Sequence, residues 1–315
     1  MKRFQVFAWG FVGYTLLVIV WGAYVRATGS GAGCGNHWPL CNGEVIPRAG
    51  ELETLVEFTH RLTSGLALIL AIGLLVWAFR SFPTGSRVRT FATLTTLLML
   101  TEALLGAGLV LFGLVADDDS IARAWVMAFH LVNTCFLLAC ATLTAWNAGD
   151  LSEFHVPRIR WTKALLIAAL VGTLILAASG AVTALGDTLF PVESISEGLS
   201  DDFSAEAHLL VRLRIYHPML AVIVSFLVLA AAFVCWQSGG PGTARIGILT
   251  GLLFLAQLAV GIFNLLLLAP VWLQMVHLLV ADLAWISLVL LANLMLQRQV
   301  PSVWLAETSQ EPEHA

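Results

Sequence analysis

Four histidines recur at matching places of an internal repeat: His60 and His130 in the first half of the chain, His217 and His277 in the second. Each lies inside or at the mouth of a long apolar stretch with almost no other ionisable groups, where an imidazole is costly unless something uses it. Two neutral imidazoles on facing helices can hold a haem iron from both sides, and the repeat offers that arrangement twice. A single intramembrane histidine could equally serve as a hydrogen-bonding residue in a bundle; four in register argue for ligation. His37 and His208 at loops, His155 on the cytoplasmic side and His314 in a polar tail do not share the pattern.

The neighbours of the histidines differ between the halves. Glu57 stands three residues before His60 and so shares its helical face. A carboxylate there could handle protons beside a haem, or simply suit the start of a helix. The second half carries Arg214 at the equivalent place. Arg61, Arg26, Arg212 and Arg214 gather toward the same surface, where arginines suit haem propionates and equally suit interfacial snorkelling. Glu102, in mid-span, is matched by the neutral Gln257; a packing hydrogen bond and a proton path are both open for it. Cys34 and Cys41 share one loop, for which a structural disulfide and a redox role are both open. Cys135, Cys140 and Cys235 lie in apolar spans, where a thiol packs as a small hydrophobe.

The elements that position these residues follow from composition. Hydrophobic residues make up 59% of the 315, charged residues only 11%, and the mean hydropathy is +0.87, which excludes a soluble globular domain. Eight apolar runs reach bilayer length, at about residues 5–25, 57–79, 90–115, 121–146, 161–185, 207–236, 244–268 and 271–297. The expected fold is an all-α integral membrane protein with eight transmembrane helices arranged as two repeat-related four-helix bundles. The first run has no cleavage site after it and is read as retained. Ten basic residues fall at the termini and even-numbered connections against six on the other side, which puts both termini in the cytoplasm. The acidic stretches Asp117–Asp119 and Glu193–Glu206 then face outward, and no basic tract points to nucleic acid.

The halves match at an offset near 157 residues. Gly22-Ala-Tyr-Val aligns with Gly180-Ala-Val-Thr, His60 with His217, Glu102-Ala-Leu-Leu-Gly106 with Gln257-Leu-Ala-Val-Gly261, and His130 with His277. Four correspondences in order imply two units of one topology. With an even number of helices per unit the repeat is parallel, so all four histidines are expected one to two turns below the outer surface. The expected division is residues 1–147 for the first half, 148–162 for a cytoplasmic linker, 163–299 for the second half and 300–315 for a polar cytoplasmic tail.

The run Thr28-Gly-Ser-Gly-Ala-Gly-Cys-Gly35, then Trp38-Pro-Leu-Cys41 and Glu57-Phe-Thr-His-Arg61, closely resembles the bacterial haem A synthase family. The resemblance spans nearly the whole chain, with a looser match in the second half. It implies an enzyme of the inner (plasma) membrane that oxidises the C8 methyl of haem O to the formyl of haem A, by successive hydroxylations, for cytochrome oxidase biogenesis. On that resemblance His60 and His130 bracket the substrate haem with Glu57 assisting. His217 and His277 ligate a resident haem b, with Arg61 and Arg214 as further cofactor contacts, and Cys34 and Cys41 form the family's loop thiol pair or disulfide. The chain departs from the family pattern in two places: residues 186–206 hold no second cysteine pair, and Pro218 follows His217 where many relatives have arginine.

The partners implied are haem O, membrane lipid, the haem O synthase that makes the substrate, and an electron donor of unidentified class; a homo-oligomer is an open expectation. Two rival readings use the same histidines. A di-haem cytochrome b electron carrier should stack its haems across the bilayer, whereas the repeat sets both at one depth. A haem transporter or chaperone would have no use for Glu57 and the loop thiols.

Overall fold

A computed structural model describes residues 1–48, 50–149, 162–238 and 240–296. Ten α-helices account for most of them: α1 Lys2–Ala27, α2 Leu52–Ser81, α3 Arg87–Leu111, α4 Ile121–Asn147, α5 Thr162–Leu189, α6 Ile195–Phe203, α7 Leu209–Leu213, α8 Tyr216–Ser238, α9 Pro241–Leu266 and α10 Val271–Leu296. Eight segments are long and apolar enough to cross a membrane, α7 and α8 counting as one, so the all-α membrane fold stands. Residues 150–161 of the expected linker and the whole 300–315 tail, with His155 and His314, lie outside the described residues.

Local chemistry sets the helix ends. Ser86 and Ser120 Oγ accept from the backbone N–H of Arg89 and Arg123 at 3.4 and 3.2 Å, capping α3 and α4 at their N-termini. Pro241 sits in the first turn of α9, where its missing N–H has no cost. Several boundaries differ from the sequence expectation, three of them near the residues of interest. The second span starts at Leu52, before residue 57, so Glu57 and His60 lie a full turn inside their helix. The third ends at Leu111, before residue 115. The sixth is broken after α7: the N–H of His217 reaches back only three residues, to the Arg214 carbonyl at 3.2 Å, and Pro218 has no N–H to continue the ladder.

In the first half α1 packs on α2, α2 on α3, α3 on α4, and α4 back on α1; in the second, α5 packs on α8, α8 on α9, α9 on α10, and α10 back on α5. α10 is the most buried span and α4 the next, and they meet at the junction of the halves, where the Trp285 indole donates to the Cys135 carbonyl at 2.7 Å. The shared core combines large apolar side chains, Phe4, Leu74, Leu137, Leu138, Leu166, Leu288 and Leu291, with alanines such as Ala8, Ala67, Ala71 and Ala141. Small residues let membrane helices approach closely enough for dispersion to hold them together, since lipid supplies no hydrophobic drive for association.

Candidate haem sites

In the second half His217 on α8 and His277 on α10 face each other with ring centroids 6.4 Å apart and ring planes at 81°. An iron held by one nitrogen of each ring, with bonds of about 2 Å and each ring centre about 1 Å behind its nitrogen, calls for a spacing of roughly 6 Å. The rings are seated against glycines. A Cβ at Gly180 would lie 3.0 Å from His217 Cε1, and one at Gly261 would lie 3.1 Å from His277 Cε1. Ser179 Oγ lies 3.0 Å from His217 Nδ1, a second contact that fixes the ring's orientation. The Gln257 amide nitrogen is 3.2 Å from both nitrogens of His277, so it lies over the ring face.

The first half repeats part of this. A Cβ at Gly22 would lie 2.8 Å from His60 Cε1, so α1 seats His60 as α5 seats His217. His130 lies within electrostatic range of His60, but it is held by a charge instead of a glycine. Its Nδ1 is 3.2 Å from Glu102 Oε1, a close approach that is not aligned as a hydrogen bond. Glu102 in turn accepts from Asn133 Nδ2 and Thr134 Oγ1. At Gly106, the counterpart of Gly261, a Cβ would meet nothing within 4 Å. Open space remains there.

Glu57 and Arg61 are committed to the loop between α1 and α2. Glu57 Oε2 accepts from the Cys34 N–H at 2.8 Å, and Oε1 accepts from Arg61 Nε and Nη2 at 3.0 and 2.5 Å. Arg61 Nη1 donates to the carbonyls of His37 and Leu40 at 2.6 and 2.7 Å. Cys34 and Cys41 are joined by a disulfide. The loop is thus closed by one covalent bond and pinned to α2 by a buried ion pair, with Glu57 only 3% exposed. Arg214 is likewise engaged, with Asp202 at 3.0 Å and with Asp187 and the Phe190 carbonyl at 3.4 and 3.1 Å. Arg61 and Arg214, expected beside propionates, therefore have protein partners.

Arg26, grouped from the sequence with the arginines of one surface, reaches across the halves, donating to the Ala184 carbonyl, Thr188 Oγ1 and Gln274 Oε1 at 2.7, 2.6 and 2.8 Å. Other residues of this region carried no assignment from the sequence. Ser179, Asn133 and Thr134 complete the surroundings of the imidazoles; their only sequence signal is adjacency to the repeat-matched positions. Asp282, 3% exposed in α10 with Oδ2 unpartnered, had a plain signal as an acid in an apolar span.

The residues present fit haem. His217 and His277 pair at a spacing suited to one iron, and His60, His217 and His277 rest where any side chain larger than glycine would intrude. Buried polar atoms without protein partners remain at both sites, among them His60 Nδ1 and Gln257 Oε1. Among the described residues no group of three or more His, Cys, Asp or Glu side chains could hold a bare metal ion.

The sequence model of the family described as cytochrome oxidase assembly protein, COX15-CtaA, matches residues 5–289. A protein of Thermus thermophilus named protoheme IX farnesyltransferase is 48% identical over 97% of this chain. The chain spans only 50% of that protein's length. A heme A synthase of Exiguobacterium sibiricum is 31% identical over 57% of this chain and 59% of its own, and one of Shouchella clausii is 44% identical over 31% of this chain and 33% of its own.

Proposed function

The chain belongs to the cytochrome oxidase assembly protein family, and from that premise we propose that it is a haem A synthase, a haem-dependent membrane oxidoreductase that converts haem O to haem A. The observation that carries the proposal is the glycine-seated pair His217 and His277, 6.4 Å apart, together with the sequence-matched His60 and His130, of which only His60 is glycine-seated and whose neighbours differ. Glu102 stands beside His130 where Gln257 stands over His277. Relatives of the same family named heme A synthase support the substrate.

In this reading His60 and His130 would hold haem O, whose C8 methyl undergoes two hydroxylations, each consuming an external two-electron oxidant and one oxygen atom from outside the protein, to a geminal diol that loses water to give the formyl group. His217 and His277 hold a resident haem b, which supplies one-electron transfer when bound. Gly22, Gly180 and Gly261 set the depth of the rings, and Glu102 holds a negative charge against His130. Glu57 and Arg61 act by keeping the disulfide loop down on α2. Both oxygens of Glu57 already accept hydrogen bonds, which favours an anchoring role over proton transfer. Both termini are assigned to the cytoplasm of a plasma-membrane protein on the bias of basic residues. The Thermus relative, twice as long and named for farnesyl transfer to protohaem, supports a working partnership with an enzyme that supplies farnesylated haem, which is haem O.

The test is to co-express the chain with a haem O source, extract the pigments and weigh them. Haem A forming with the wild type and failing with His60→Ala is the expected result. Unchanged haem O in the presence of folded protein overturns the assignment.

A further inference from the structure

Each of the four repeat-matched glycines is followed, three residues on, by a residue on the same helical face one turn nearer the disulfide-loop end of the bundle. In the first half these are Val25 after Gly22 and Leu109 after Gly106; in the second they are Thr183 after Gly180 and Asn264 after Gly261. The four positions correspond across the repeat and divide by chemistry. The first half offers a buried Val25 and a half-buried Leu109. The second offers Thr183 Oγ1 and Asn264 Oδ1, both buried and without a protein partner.

Space divides the same way. At Gly261 the His277 ring fills the room a side chain would take, whereas at Gly106 that room is open. The first site therefore has an apolar wall next to free volume, and the second has a filled wall with unsatisfied oxygens. A long hydrocarbon chain laid against Thr183 and Asn264 would keep those oxygens from any hydrogen-bonding partner, which is the costly outcome. Laid against Val25 and Leu109 it meets only apolar surface.

We propose that Val25 and Leu109 against Thr183 and Asn264 determine which haem each half accepts, the first pair admitting a haem that carries an isoprenoid chain and the second pair selecting a haem without one. The inference rests on the haem A synthase reading and deepens it by naming the residues that keep substrate and resident haem apart. These four are specificity-determining residues; the imidazoles remain the ligands.

The experiment isolates each site in the full-length protein and titrates it separately with haem O and haem b, following the Soret band. In the His217→Ala/His277→Ala background the first site is expected to prefer haem O, and Val25→Thr/Leu109→Asn should cut that preference about tenfold. In the His60→Ala/His130→Ala background the second site is expected to prefer haem b. There Thr183→Val/Asn264→Leu should raise haem O binding about tenfold, a gain that misfolding cannot imitate. Preferences that survive both exchanges overturn the inference while leaving the synthase reading in place. Failure of the unexchanged first site to bind haem O overturns the synthase reading and this inference with it.

Discussion

Glu57 and Arg61, one turn apart on α2, form a buried ion pair whose remaining hydrogen bonds all go to the loop closed by Cys34 and Cys41. An acid and a base that sequence alone would assign to haem chemistry thus also work as a rivet between a helix and the disulfide-closed loop. Removing one partner leaves the other as an uncompensated buried charge.

Arg61→Ala is expected to destabilise the protein by about 3 kcal/mol and to speed reduction of the Cys34–Cys41 disulfide by a mild thiol. Thermal unfolding in detergent and thiol labelling over time measure the two effects. Equal labelling rates in variant and wild type would show that the rivet does not protect the loop.

Cys34→Ser is expected to cost about 2 kcal/mol, because the cross-link closes a short loop and removes little chain entropy. A melting temperature lowered by the variant, and lowered equally in the wild type by prior reduction, would bear this out. A loss of haem A production far beyond the loss of folded protein would instead assign the thiols a part in the chemistry.

Gly22→Ala, Gly180→Ala and Gly261→Ala each place a methyl group 2.8 to 3.1 Å from an imidazole carbon. Overpacking of this kind costs about 1–3 kcal/mol. Here it should also tilt the ring and change the absorption and EPR spectra of haem bound in the affected half alone. Gly106→Ala, which meets nothing within 4 Å, is the control and should leave spectra unchanged. Identical spectra for Gly22→Ala and Gly106→Ala would refute the seating argument.

Glu102→Gln copies into the first half what Gln257 provides in the second. Removing a negative charge next to His130 should raise the midpoint potential of haem held there, by an amount on the order of tens of millivolts. Redox titration of the singly loaded protein checks the sign; an unchanged potential would mean that Glu102 carries no charge beside the ligand.

His217→Ala is expected to lower resident haem b more than His60→Ala does. Pyridine haemochrome assays on equal amounts of folded protein decide it, and equal losses would contradict the division of labour between the halves.

Much of this arrangement was legible in the sequence. Eight spans follow from run length alone, and the sequence names His217 and His277 as a pair, whose rings the fold brings to 6.4 Å. What each charged group touches was not legible. Arg214 looked free for a propionate because Asp187 and Asp202 lie 27 and 12 residues away, and no periodicity rule links a helix to a loop across such distances. The seating glycines were visible only as matched letters. That a glycine meets an imidazole depends on where two helices cross, which pattern reading does not supply. The break before α8 could have been read from Pro218, whose missing N–H ends the ladder that a continuous sixth span requires.

Arg26 belongs to α1, yet its acceptors belong to α5 and α10. During synthesis that guanidinium gains Ala184 and Thr188 only with the fourth span after its own, and Gln274 only with the seventh. Expressed alone, the N-terminal half would carry a cation it cannot neutralise from within, and would be a poor candidate for an independent unit in the bilayer. Chain order thus makes the last span a checkpoint on the first, and truncation before α10 should mark the product for degradation instead of leaving a working half-protein.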